Sequence, residues 1–210
     1  MRLQRPQSPE DDLFILCFAP GTLISTPSGE TAVETLGVGD LVTTADGSAV
    51  PVKWIGRQAI GGAAGMPEGR EPVRISAGAL GDGLPLRDLV VTSDHAMLLD
   101  GVLVQAGALV NGSTIARLSQ SVIRDGLTVF HIETKGHEII LAEGAATETF
   151  VDNVTRRAFD NFAEFEALYG ATADAIAERD EPRAMSPRQV PAAIRDRIAI
   201  AAGEGLAQAA

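Results

Sequence analysis

The sequence predicts an all-β protein, and three observations carry that prediction. From Leu13 to about Phe150 the apolar residues come in short runs rich in Val, Ile, Leu and Thr, the length and composition of strands rather than helices. Turn dipeptides separate the runs: Ser28-Gly29, Asp46-Gly47, Gly61-Gly62, Asp82-Gly83, Asp100-Gly101, Asn111-Gly112, Asp125-Gly126 and Glu143-Gly144, several of them suited to tight hairpins. The composition, 45% hydrophobic and 21% charged over 210 residues, is that of a folded chain with one real core.

In order, the expected strands are Leu13–Phe18 and Thr22–Thr26, the second ending in the Ser28-Gly29 turn; Leu41–Thr44 and Val50–Gly56 on either side of Asp46-Gly47; and Val73–Ser76 and Leu89–Thr92 around Asp82-Gly83. Met97–Leu99 and Val102–Gln105 flank Asp100-Gly101 as a hairpin would. Ser113–Leu118, Thr128–Thr134, His137–Ala142 and Glu148–Val151 complete the β region. After Asn153 the texture changes: Phe159, Phe162, Phe165 and Tyr169 recur at helical spacing in RRAFDNFAEFEALYG, which predicts an amphipathic helix packed on the β body. Beyond Gly170 the chain is alanine-rich and broken by proline, and a frayed, flexible tail with marginal helices is expected there.

Several function classes are disfavoured at once. A formal charge of −11 opposes phosphate-backbone binding, so no nucleic acid is expected as partner. One Cys and three His allow neither an intrachain disulfide nor zinc-type ligand spacing; no metal and no cofactor are expected. No apolar run is long enough for a membrane span, and the N-terminal run before Ala19 is shorter than a secretory signal requires. The expectation is a chain made in the cytoplasm, with export lacking a cleaved N-terminal signal left open.

Four features carry candidate chemistry: Cys17, Thr92-x-x-His95, His137 and Asn153. Each has a plain structural alternative. A lone Cys behaves as a small buried hydrophobe, Thr92 suits a strand end, His137 a satisfied core or turn position, and Asn153 a helix cap ahead of RRAFDNF.

Together they form a recognisable series. CFAPGTLISTPSGETAVETLGVGDLVTTADG resembles the opening of the Hint (Hedgehog/intein) family: a nucleophilic Cys17, then Gly-Thr, a strand, and the segment carried by Val33, Leu36, Gly39, Asp40 and Val42. VVTSDHAMLL resembles the second motif, and TVFHIETKGHEIILAEGAATETFVDN the closing ones. VKWIGR and HEIILAEGA are most similar to bacterial Hint-type domains. The resemblance implies a horseshoe-like Hint domain over residues 17–153, between a leader at 1–16 and the helix and tail at 154–170 and 171–210.

The resemblance also implies autoprocessing, with the chain's own polypeptide as substrate. Cys17 would attack the Leu16 carbonyl, His95 would serve the scissile nitrogen and Thr92 would hold the bond. The thioester would pass to water or a small thiol. Asn153 would cyclise with His137 as helper. The chain departs from the splicing pattern at three places: Val154 has no nucleophile, Asp152 stands where His is common, and His131 stands where inteins often carry an acid. Cleavage is therefore expected and splicing is not. A silent Hint module and a Cys/His hydrolase acting on other molecules are the rival readings.

Overall fold

The structure, a computed structural model, describes residues 16–151, 156–170 and 175–203. The leader up to residue 15 and the trio Asp152, Asn153 and Val154, with the roles expected of them, lie outside the described residues. The strands are β1 (Leu23–Thr26), β2 (Gly29–Ala32), β3 (Leu41–Thr43), β4 (Ala49–Pro51), β5 (Trp54–Ile60), β6 (Val73–Ile75), β7 (Leu89–Val91), β8 (Ala96–Leu99), β9 (Val102–Gln105), β10 (Ile115–Arg117), β11 (Leu127–Glu133), β12 (Ile139–Ala142), β13 (Ala145–Glu148) and β14 (Arg183–Ala184). Helices α1 (Gln120–Arg124), α2 (Phe162–Tyr169) and α3 (Ala192–Ala201) join them. The fold is all-β in its body, with short helices added late in the chain.

Among the described residues the largest sheet runs β14-β9-β8-β13-β12-β1-β2. Two smaller ladders, β10-β6-β7 and β11-β5, are stitched together by Phe18, which bridges Val91 on one side and Phe130 on the other. Its backbone exchanges hydrogen bonds with Phe130 at 2.8 Å in both directions, and Ala19 N–H donates to the Val90 carbonyl at 2.9 Å. The residues around Cys17 are thus threaded between β7 and β11, with Leu16, Cys17 and Phe18 all buried.

Hairpin geometry follows the turn dipeptides. Asp100-Gly101 between β8 and β9, and Glu143-Gly144 between β12 and β13, both place two successive residues at positive φ, 49° and 76° in the first and 50° and 75° in the second. That is the left-handed pair a two-residue hairpin requires.

The structure differs from the sequence reading in several places. Where the strand Leu13–Phe18 was expected, the described residues carry only the isolated bridges of Phe18, and helix α1 was not expected. The run expected as one strand at Val50–Gly56 is split into β4 and β5, because Val52 N–H and the Val52 carbonyl turn back to Asp40 and Gly39. β2 was not expected; its GETA sequence is largely solvent-facing and carries no apolar pattern. The strand expected at Glu148–Val151 lies upstream, as β13, where it pairs with β12 from Ile139↔Glu148 to Ala142↔Ala145. The segment read as a frayed tail forms β14, parallel to β9, and α3, whose Ile194 and Ile198 sit buried in the main core. Two isoleucines four residues apart make one apolar face, which is enough to dock a helix that its alanine content alone would leave marginal.

Candidate active site

Cys17 lies in a second apolar cluster with Trp54, Ile60, Val129, Phe150, Phe159 and Phe165. Burial pushes its thiol well above the ordinary range, so the resting sulfur is protonated and needs a base before it can attack. The Thr92 side chain and backbone clamp the residue: Cys17 N–H donates to Thr92 Oγ1 at 2.9 Å and Thr92 N–H donates to the Cys17 carbonyl at 2.9 Å. Thr92 follows β7, and the turn it opens is closed by His95 N–H donating to the Thr92 carbonyl at 3.1 Å. The T-x-x-H spacing is therefore one tight turn that brings a hydroxyl and an imidazole to the same strand end.

His95 is buried, and its Nε2 lies 3.1 Å from the Glu148 carbonyl. A carbonyl only accepts, so Nε2 carries the proton and the lone pair is on Nδ1, which is buried without a hydrogen-bond partner. Burial lowers the His95 pKa, against the Glu148 carboxylate and the Cys17 and Glu148 carbonyls, which favour the cation. The ring packs on Phe18, centroids 4.4 Å apart.

The histidine against the Leu16 carbonyl is His131, not His137. His131 Nδ1 hydrogen-bonds the Leu16 oxygen; by the same rule Nδ1 is the donor, leaving Nε2 as a buried nitrogen with no hydrogen-bond partner. The ring is edge-on to Phe150, centroids 4.9 Å apart, and stacked on Phe159 at 5.2 Å and 27°. Burial is the main cause that lowers its pKa from 6.5 to about 3, aided by His95 and Arg156 and opposed by the Leu16 carbonyl and Glu148.

His137, which the resemblance made the helper of Asn153, is engaged elsewhere. Its Nε2 is 3.0 Å from Glu148 Oε2, and among the described residues no hydrogen bond joins it to Leu16 or Cys17. Glu148, overlooked in the sequence, is the hub. Its Oε1 accepts from Ala96 N–H at 2.9 Å and Arg183 Nη1 at 3.0 Å, and its Oε2 from Arg183 Nη2 at 2.7 Å and from His137. Burial alone would raise this carboxyl, but hydrogen bonds from His137 and Arg183 and the Arg183 charge outweigh it and hold the pKa at about 2.

These shifts give a stability prediction. The unfolded imidazole of residue 131 takes a proton near 6.5, whereas the folded one stays neutral down to about 3. The unfolded state binds more protons across that window, so stability falls as pH falls through it, and His95 adds in the same direction. Denaturant unfolding of the Cys17→Ala chain at stepped pH is expected to show the decline, and His131→Phe to flatten it; equal slopes in the two chains would refute the assignment.

A polar cavity of about 460 Å³ opens beside Leu16, lined by Arg70, Asp94, Gln105, Glu178, Arg183 and Met185. Arg70 Nη1 pairs with Asp94 Oδ2 across it at 2.8 Å. Among the described residues no group of three or more His, Cys, Asp or Glu could hold a metal ion, and no helix is long and apolar enough to cross a membrane.

A family model described as Hint domain matches residues 16–154. Similar solved structures include a variant of the MchDnaB-1 intein, 19% identical, covering 63% of this chain and 99% of that one with a TM-score of 0.47. A bacterial intein-like domain from Clostridium thermocellum is 15% identical, with coverages of 65% and 99% and a TM-score of 0.46. A DnaB intein from Synechocystis sp. PCC 6803 is 13% identical, with coverages of 64% and 99% and a TM-score of 0.45. No curated protein matches the chain.

Proposed function

The chain belongs to the Hint domain family, and from that premise we propose that it cleaves itself at Leu16–Cys17 through an N-to-S acyl shift. The observation that carries the reading is the pair of contacts on one buried peptide bond: His131 Nδ1–H on the Leu16 oxygen and Thr92 Oγ1 on the Cys17 nitrogen. A peptide carbonyl is a poor electrophile because resonance shares its charge with nitrogen. A donor at the oxygen stabilises the charge that develops there during attack.

The steps balance with one travelling proton. His95 Nδ1 takes the proton from the Cys17 thiol, and Sγ bonds to the Leu16 carbonyl carbon while His131 donates to the oxyanion. The C–N bond then breaks, and the Cys17 nitrogen leaves with the proton from His95 as a free amine. Both imidazoles are neutral at ordinary pH, which suits His95 to accept a proton first and return it. Water or a small thiol then attacks the thioester by way of the cavity beside Leu16, restoring the Cys17 thiol and freeing residues 1–16.

We infer cleavage without splicing, since Val154 offers no side-chain nucleophile. His137 is held by Glu148, and Asn153 lies outside the described residues. An external hydrolase is disfavoured by the complete burial of Cys17, which leaves an added substrate no route to the sulfur. The same burial, with the raised thiol pKa, is what favours the rival reading of a silent module.

Intact-mass measurement separates the two. Freshly made protein treated with hydroxylamine or a small thiol is expected to split into residues 1–16 and 17–210, whereas Cys17→Ala keeps its full mass. Persistence of the full mass in the unmutated chain under every condition would leave the silent module standing.

A further inference from the structure

The family match ends at residue 154, yet one face of His131 is covered by a residue beyond it. We infer that Phe159 is a positioning residue for the self-cleavage site, holding the His131 ring in plane and excluding water from it, so that the downstream chain completes the site. The inference rests on the autoprocessing reading and deepens it.

The placement of Phe159 is built from both sides. Within the β5–β11 ladder, His131 lies directly opposite Gly56. A Cβ at Gly56 would meet Phe159 Cδ1 at 2.8 Å, so the missing side chain is the notch in which the Phe159 ring lies, stacked on His131. The next two residues lock that position to the free edge of β5. Asp160 N–H donates to the Arg57 carbonyl at 2.9 Å, Asp160 Oδ2 accepts from Ala59 N–H at 2.7 Å, and Asn161 Oδ1 accepts from Arg57 N–H at 2.7 Å. Asn161 Nδ2 donates to the Ile55 carbonyl at 2.9 Å. A strand edge that would otherwise be open is used as a register mark, and it fixes the phenyl ring over the imidazole.

Upstream of Phe159, Arg156 ties the same segment to the body. Its guanidinium reaches the buried Glu133 carboxylate at 2.7 Å and lies over the Phe150 ring at 4.4 Å, the ring that makes an edge contact with His131. The charged and titratable groups that act on His131 are His95, Glu148 and Arg156, and none of them replaces the apolar cover that Phe159 provides. With Phe159 in place, Nε2 is dry and the ring has one orientation, Nδ1–H toward Leu16. Without it, water reaches Nε2, protonation becomes easier and the donor loses its aim.

The test uses the full chain and two readouts. In the Cys17→Ala background, NMR titration of His131 is expected to show a neutral ring down to about pH 3; Phe159→Ala should move the midpoint up by more than one unit, and Phe159→Leu, which keeps apolar bulk if the alanine variant fails to fold, by less. With Cys17 present, Phe159→Ala should slow hydroxylamine-trapped cleavage at neutral pH by about tenfold, a loss of alignment rather than of a reacting group. Phe162→Ala, on the same segment but packed on Phe165, should move neither readout. An unmoved His131 midpoint in Phe159→Ala and Phe159→Leu, or an equal shift in Phe162→Ala, overturns the inference. A chain that never cleaves overturns the autoprocessing reading instead, because the titration is read without any reaction.

Discussion

Replacing His131 by Phe is expected to slow cleavage at Leu16–Cys17 by roughly 10²- to 10³-fold, the usual cost of one lost oxyanion donor, while His137→Ala leaves the rate within a few-fold. The contrast follows from what each imidazole touches. His131 is the side chain on the scissile oxygen, and Phe keeps the ring bulk between Phe150 and Phe159 while deleting the N–H. His137 touches the carboxylate of Glu148, which Arg183 and Ala96 continue to hold after His137 is removed. His137→Ala should therefore appear in stability, at about 1–3 kcal/mol for a buried hydrogen-bonding group left short of a partner. Single-turnover cleavage followed by intact mass, beside denaturant unfolding in the Cys17→Ala background, measures both. A His131→Phe chain that cleaves at the parental rate, or a His137→Ala chain that loses cleavage, would reverse the assignment of the two residues.

The sequence assigned neither of these histidines to the Leu16 carbonyl: the resemblance made His137 the helper of Asn153, and His131 only stands where inteins often carry an acid. The choice is made by a long-range register. Phe130 pairs with Phe18, so the next residue on β11, His131, projects to the same face as Cys17, the neighbour of Phe18, since successive side chains of a strand alternate. Thr92 and His95 were legible for the opposite reason. They share a local turn that the T-x-x-H spacing encodes, whereas the contact of Thr92 with Cys17 spans 75 residues and was readable only through the resemblance.

Glu148 and the downstream chain were hidden by distance. The carboxylate is explained by Arg183, 35 residues later, on a strand of two residues that no periodicity could announce. The proline-broken, alanine-rich composition after Gly170 suggested weak structure, because a short helix is marginal without a packed face even when its residues favour helix. Tertiary contact decides otherwise: β14 takes an open edge of the large sheet, and α3 covers the core with Ile194 and Ile198. The same contacts bear on the far end of the Hint region. Residues 156–170 and 175–203 are packed into the body, so a cut beside Asn153 would leave the downstream chain docked.

Glu148→Ala is accordingly expected to be the most destabilising single change, at about 3–5 kcal/mol, because it removes the buried partner from an ionic network and leaves Arg183 only the half-exposed Glu178 carboxylate. The Arg183 side chain is only 17% exposed, so its guanidinium regains little water when the carboxylate is lost. The pH dependence carries the same signature. With the folded pKa at about 2 against an ordinary 4.5, the unfolded chain takes up the proton first as pH falls. The stabilisation is present above about 4.5 and is lost on the way down to 2. Glu148→Ala should erase that part of the acid limb, leaving the part that His131 and His95 contribute at higher pH. Cleavage should fall as well, since His95 takes its tautomer from the Glu148 main-chain carbonyl, whose position depends on the anchored side chain. Arg183→Met, which replaces the charge by apolar bulk of similar length, should destabilise and leave His137 as the remaining side-chain partner of Glu148. Unfolding in urea at pH 7 and at steps from about pH 4.5 down toward pH 2 measures the stability changes, and intact mass the cleavage; a Glu148→Ala chain within about 1 kcal/mol of its parent at pH 7 would place Glu148 among surface ion pairs of small effect rather than at the centre of the site.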